Sequence, residues 1–168
     1  MKTLLRFVYI YLTLLALTLT TFEAAADIKL PRLVSDGMVL QRDKPLTLWG
    51  WADDDEQVTV TLGKQTRSTK AQAGRWEITF KPFTAGGPYV LDVQGKNNLQ
   101  VKDILIGDVW IAAGQSNMEL PLKRVKYHYP ELIESTHLPQ IREFNVPVVY
   151  ALKGPLNDFQ QGQWKTAE

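Results

Sequence analysis

The chain has 168 residues, no cysteine, 19 basic against 18 acidic side chains and 45% hydrophobic residues, a composition that suits a folded protein rather than a disordered or fibrous one. Without cysteine there is no disulfide, thiolate metal site, cysteine nucleophile or cysteine-linked lipid anchor. The formal net charge of +1 gives none of the basic surplus that nucleic-acid binding requires. An enzyme, a binding module and a structural domain all remain open.

Lys2 and Arg6 precede an apolar run from Phe7 to Leu19, and Ala24-Ala25-Ala26 stands before Asp27. This is the pattern of a secretory signal peptide over residues 1–26 with cleavage before Asp27. The apolar run is shorter than the ~20 residues a spanning helix needs, so the expectation is export to the periplasm or the extracellular space, with no membrane anchor. The remaining chain carries equal numbers of basic and acidic groups.

From Asp27 to Leu105 short alternating segments follow one another: Leu46-Thr47-Leu48-Trp49, Val58-Thr59-Val60-Thr61-Leu62 and Trp76-Glu77-Ile78-Thr79-Phe80. Alternation with period two buries one face and wets the other. Breaks at Ser35-Asp36-Gly37, Asp53-Asp54-Asp55, Ala73-Gly74, Ala85-Gly86-Gly87-Pro88 and Gly95-Lys96-Asn97-Asn98 give the turn spacing of an antiparallel β-sandwich over residues 27–105.

The pattern changes at Ile104. Ile104 to Ala113 is nearly continuous in apolar residues, as in a strand covered on both faces of a parallel sheet. It runs into Gly114-Gln115-Ser116-Asn117-Met118 and then Glu119-Leu120-Pro121-Leu122, so a strand, a tight turn and a helix start are expected in that order, an arrangement that places sites at strand carboxyl ends. A helix is expected around Tyr129 to Ser135, with Pro130 at a first helical position, and a strand over Ile141 to Val146. Residues 106–168 are thus read as the beginning of an α/β domain that is too short to be complete.

Serine becomes a nucleophile when it is exposed on a sharp turn, beside a base and near N–H donors for an oxyanion. Ser116 meets the first condition: Gly114 permits a tight backbone, and a helix following the serine would aim its free N–H groups at the reacting centre. Taken alone, Gly-x-Ser reads more readily as an N-cap serine closing a strand-to-helix turn.

The longer string Trp110-Ile111-Ala112-Ala113-Gly114-Gln115-Ser116-Asn117-Met118-Glu119 resembles the first catalytic block of the sialate O-acetylesterase family, a branch of the SGNH hydrolases. Leu33-Val34-Ser35-Asp36-Gly37-Met38-Val39-Leu40-Gln41-Arg42 resembles the opening of that family's N-terminal β-sandwich, Gly50-Trp51-Ala52 follows, and Trp164 resembles a tryptophan that in the family precedes a Phe-Ser-Ala segment and a helix. The fold this implies is an all-β sandwich followed by the first part of an α/β SGNH (flavodoxin-like) hydrolase domain, truncated. The resemblance makes Ser116 the nucleophile toward an acetyl ester of sialic acid or a related sugar. Its backbone N–H would contribute to the oxyanion hole, Gly114, Gln115 and Asn117 would shape the turn, and no metal or organic cofactor would be required. Met118 stands where the α/β-hydrolase elbow has its second glycine, which agrees with an SGNH enzyme.

The family's base comes from an Asp-x-x-His block that is absent here. His128 has Val125 three residues before it, and His137 lies in Glu134-Ser135-Thr136-His137, close after the serine; both read as surface histidines. The expectation is therefore an incomplete chain, inactive as it stands. The alternative is a non-catalytic carbohydrate-binding or interaction module.

Asp53-Asp54-Asp55-Glu56 lacks the Asp-x-Asp-x-Asp-Gly spacing of a calcium loop and reads as a solvated turn. Trp49 and Trp51 share a strand face, and with Trp76 they serve either as core or as a stacking platform for sugars. Lys123-Arg124-Val125-Lys126 is too short a basic run for a nucleic-acid patch. The sequence does not specify an oligomeric state.

Overall fold

The computed structural model describes residues 27–131 and 138–167. The signal-peptide assignment, His137 and most of the helix expected after Tyr129 lie outside the described residues; of that helix, Pro130 and Glu131 are helical.

Alternation in the sequence becomes two facing sheets. Strands β1 (Val39–Gln41), β2 (Leu46–Trp51), β3 (Gln57–Leu62), β4 (Gln65–Lys70), β5 (Arg75–Phe80), β6 (Gly86–Gln94) and β7 (Asn98–Gly107) come first, and β8 (Leu138–Phe144) and β9 (Trp164–Ala167) follow. The larger sheet has the order β1-β7-β6-β3-β4, while β2 pairs with β5 and β8 with β9. All pairings are antiparallel except β1 with β7. Leu46 and Leu48 of β2, Val58, Val60 and Leu62 of β3, and Trp76, Ile78 and Phe80 of β5 point inward and are buried, which is what period two demands once one face is sealed. They meet Leu91, Val93, Val101 and Ile104 from β6 and β7 in one core. Strand β4 lies against β5, so the sheets curl around that core.

In β7 the inward positions change phase, from Val101 to Ile104 and Ile106. A register shift opposes Leu91 to Val101 but Tyr89 to Ile104, and Asp103 sits there at φ 56. An extra residue in one strand resets which side chains face inward.

The expected strand from Ile104 to Ala113 is corrected. Ile104 and Ile106 are sandwich core, Leu105 pairs with Val39 of β1, and the strand ends at Gly107. The apolar run reads as doubly covered because Leu105 also lies against the Gly87 segment, where a side chain on Gly87 would meet Leu105 at 3.1 Å. Residues 108–113 form no strand. The strand expected over 141–146 is β8, which starts and ends earlier.

Hairpin β8–β9 is held to the sandwich by side chains. Arg142, with a side chain only 10% exposed, donates to both carboxylate oxygens of Asp103 at 2.8 and 3.2 Å and to the carbonyl of Gly37 at 3.3 Å. Trp164 donates its Nε1–H to the Leu33 carbonyl at 2.8 Å. Among the described residues no helix is long and apolar enough to cross a membrane.

Candidate functional site

The serine segment starts where β1 and β7 end side by side, with Gln41 opposite Gly107. The Arg42 amide donates to the Gly107 carbonyl at 2.9 Å. The Arg42 guanidinium grips Asp108 through Nε at 2.9 Å and Nη2 at 3.3 Å, and also lies 3.4 Å from Asp43. The next amide, Val109, donates to Oε1 of Gln41 at 3.0 Å. The hydrogen bond from Arg42 holds the Asp108 carboxyl below its ordinary value of 3.8, and the same contact raises the guanidinium further. Two parallel N–H···O bonds fix direction as well as distance. The chain therefore leaves the sandwich along a defined path. Sequence reasoning did not single out Gln41, Arg42 and Asp108, although Gln41 and Arg42 end the first of the two blocks that carry the resemblance and Asp108 stands two residues before the second.

Beyond this clamp the apolar side chains meet solvent: Trp110 is 88% and Ile111 93% exposed. Gly114, Gln115, Ser116 and Asn117 are all exposed. Ser116 is the first residue of a short 3₁₀ helix, Ser116–Glu119, preceded by Gln115 in an extended conformation. The Met118 amide donates to the Gln115 carbonyl at 2.8 Å and the Leu120 amide to the Asn117 carbonyl at 3.3 Å. Ser116 thus stands on a turn open to solvent.

Gly114 has no positive φ, and a side chain there would meet Met118 at an ordinary 3.4 Å. One expectation about this turn is corrected: no long helix follows the serine. Pro121 forces Leu120 to φ -72, ψ 109 and has no N–H to donate, so the chain breaks into two 3₁₀ helices, the second at Leu122–Val125. Helices this short supply little dipole to an oxyanion.

His128 is exposed beside Tyr129, the ring centroids 6.4 Å apart. Among the described residues no cluster of three potential metal-ligating side chains occurs.

The acidic run is structural. Glu56 is buried and accepts from the Lys96 amide at 2.7 Å and the Asp53 amide at 3.3 Å; Asp54 accepts from Gly74 at 2.7 Å, and Asp53 pairs with Lys96. The tryptophans divide: Trp76 is core, whereas Trp49 and Trp51 lie half-buried on the outer face of β2. They pack edge to face at 5.0 Å, with the Arg75 guanidinium 4.0 Å from the centre of the Trp49 ring.

Comparison with known proteins finds this chain similar to carbohydrate acetylesterases. A solved carbohydrate acetylesterase from Xanthomonas citri superposes with a TM-score of 0.77 at 40% identity, covering 83% of this chain and 32% of that one. The chain is, more particularly, a homologue of the sialate O-acetylesterases. It is 29% identical to that of Mus musculus over 151 residues, 82% of this chain and 28% of the relative. It is 30% identical to that of Homo sapiens over 142 residues, 77% of this chain and 27% of the relative. No family model matches. The chain thus spans less than a third of the length of these relatives.

Proposed function

We propose that this chain contributes an accessory β-sandwich and the nucleophile-bearing segment of an exported serine esterase of SGNH type, which removes O-acetyl groups from sialic acid or a related sugar. The observation that carries this reading is the structural and sequence likeness to carbohydrate acetylesterases over most of the chain. In this mechanism the Ser116 Oγ attacks the acetyl carbonyl carbon while its proton passes to a histidine base of the Asp-x-x-His kind that the resemblance implies. The tetrahedral oxyanion is met by backbone N–H groups, Ser116's own among them. Collapse breaks the ester C–O bond, the sugar hydroxyl leaves with the proton from the base, and water then releases acetate from the acyl-enzyme. Gly114, Gln115 and Asn117 set the turn, and the Arg42–Asp108 clamp sets where it begins. The α/β character of the region after Gly107 belongs to this proposal, as does export directed by residues 1–26.

The test is hydrolysis of an O-acetylated sialic acid by the full-length native protein, with intact mass after fluorophosphonate treatment. The expected result is one adduct on Ser116 and a loss of at least about a thousandfold in kcat for Ser116→Ala. An unlabelled Ser116, or activity that survives its replacement, would overturn the assignment.

A further inference from the structure

Away from the serine segment a cavity of about 490 Å³ lies between the loop before β1, Trp49 of β2 and the segment from Val146 to Gln160, a volume within the usual range of small-ligand sites. Its walls are firmly held. The Arg32 amide donates to Asp158 at 3.0 Å and its Nε–H to the Phe159 carbonyl at 3.0 Å. Phe144 bridges Phe159 and Trp164 with ring separations of 5.6 and 5.5 Å, and Trp164 in turn holds Leu33.

Trp49 is not needed by the core, which β2 supplies through Leu46 and Leu48. Its ring is nevertheless fixed, edge to face against Trp51 and under Arg75, and it forms part of the cavity wall. A planar aromatic wall suits the C–H face of a sugar ring. The remaining lining narrows the choice of sugar. Leu33, Val146, Leu156 and Phe159 offer nothing to free hydroxyls, which would lose water without a new partner. The amides of Asn157 and Gln160 offer donors, while the Asp158 carboxylate in the same wall already accepts from the Arg32 and Phe159 amides. An acetylated sugar matches this set: methyl groups meet the apolar side chains, and ester carbonyls accept from the amides.

We infer that the Trp49-walled cavity is a binding subsite for an O-acetylated sugar residue. The ligand class rests on the esterase reading above; the site itself rests on the cavity. None of its lining residues belongs to the serine turn, so it would hold glycan as a binding element and perform no chemistry.

The experiment uses the full-length Ser116→Ala protein, so that turnover does not consume the probe, titrated by calorimetry with methyl β-xyloside triacetate and with unmodified methyl β-xyloside. The acetylated probe is expected to bind at least about tenfold more tightly, with Trp49→Ala losing about tenfold or more of that affinity. Leu156→Asp, an exposed wall position away from the core, should give a similar loss in a protein whose folding is not in question, and Trp49→Phe should retain part of the affinity. Equal binding of the two probes, no binding, or full affinity in both Trp49→Ala and Leu156→Asp would overturn the inference. Hydrolysis by the unsubstituted enzyme is read separately. An inactive enzyme with acetyl-dependent binding at Trp49 would refute the esterase and leave the subsite, and an active enzyme without such binding would refute the subsite alone.

Discussion

Replacing Gly50 with alanine adds one methyl group at a place with no room for it. A Cβ at Gly50 would press on the carbonyl oxygen of Lys29 and lie 2.8 Å from two ring carbons of Trp76. The ring is among the largest fully buried side chains of the core, and the Lys29 carbonyl accepts from the Trp51 amide at 2.9 Å while the Lys29 amide donates to the Trp51 carbonyl at 2.9 Å. Overpacking of a dense core costs about 1–3 kcal/mol, and losing these two backbone hydrogen bonds adds about 0.5–1.5 kcal/mol each. Alanine returns about 0.5–1 kcal/mol relative to glycine by restricting the unfolded chain. The expected net loss is about 1–5 kcal/mol, centred near 3. Gly74 is the control, since a side chain there meets nothing within 4 Å and only its φ of +74 is unfavourable, a strain of about 1–2 kcal/mol. Urea unfolding followed by tryptophan fluorescence gives both values. If Gly50→Ala proved no more destabilising than Gly74→Ala, Gly50 would not be the point where backbone and Trp76 meet.

Arg142→Met should destabilise by about 1–3 kcal/mol, the range for charge-assisted hydrogen bonds reduced by the exposure of Asp103, as read from urea midpoints at neutral pH. The Asp103 carboxyl is held below its ordinary 3.8 by its hydrogen bond to Arg142; the pair's contribution is therefore complete above that value and is lost as pH falls through the lower folded-state value. The stability gap between the parent and Asp103→Asn, which tolerates the left-handed backbone there, should narrow on acidification below about pH 4; a gap unchanged at low pH would place its cause in packing. Glu56→Ala leaves the Lys96 and Asp53 amides without their acceptor and should cost about 1–3 kcal/mol, with Glu56→Gln costing clearly less because one oxygen remains. Equal losses in the two variants would show that the negative charge, rather than the acceptor geometry, is what matters.

The readable part of the fold is the part in which one face is sealed. Strands β2, β3 and β5 show clean alternation because Leu48, Val60 and Ile78 face one core while Thr47, Thr59 and Thr79 face solvent. Strand β4, Gln-Thr-Arg-Ser-Thr-Lys, carries no hydrophobic pattern at all. As the edge of its sheet it is held by backbone pairing with β3 and by hydroxyl pairs such as Thr59–Ser68 at 2.9 Å, and polar edge strands are how sheets avoid further pairing. The Asp103 bulge was equally hidden, because an inserted residue changes the phase of burial without changing composition. That phase change made Ile104, Leu105 and Ile106 resemble the start of a new buried strand when they are the end of an old one.

The serine turn was read on a different ground, the chemical kind and order of its residues rather than periodicity, and Ser116 stands exposed in the structure. What sequence could not supply was the link between the two blocks that resemble the esterases. Leu33 to Arg42 and Trp110 to Glu119 are far apart in the chain, yet Gln41 and Arg42 at the end of the first hold Val109 and Asp108 at the threshold of the second. The parallel pairing of β1 with β7 brings those ends together, and it can do so only if the sandwich is folded. The sandwich therefore does more than precede the serine: it fixes the backbone from which the serine segment departs, so damage to the Arg42–Asp108 clamp should displace the Ser116 turn while leaving the core intact.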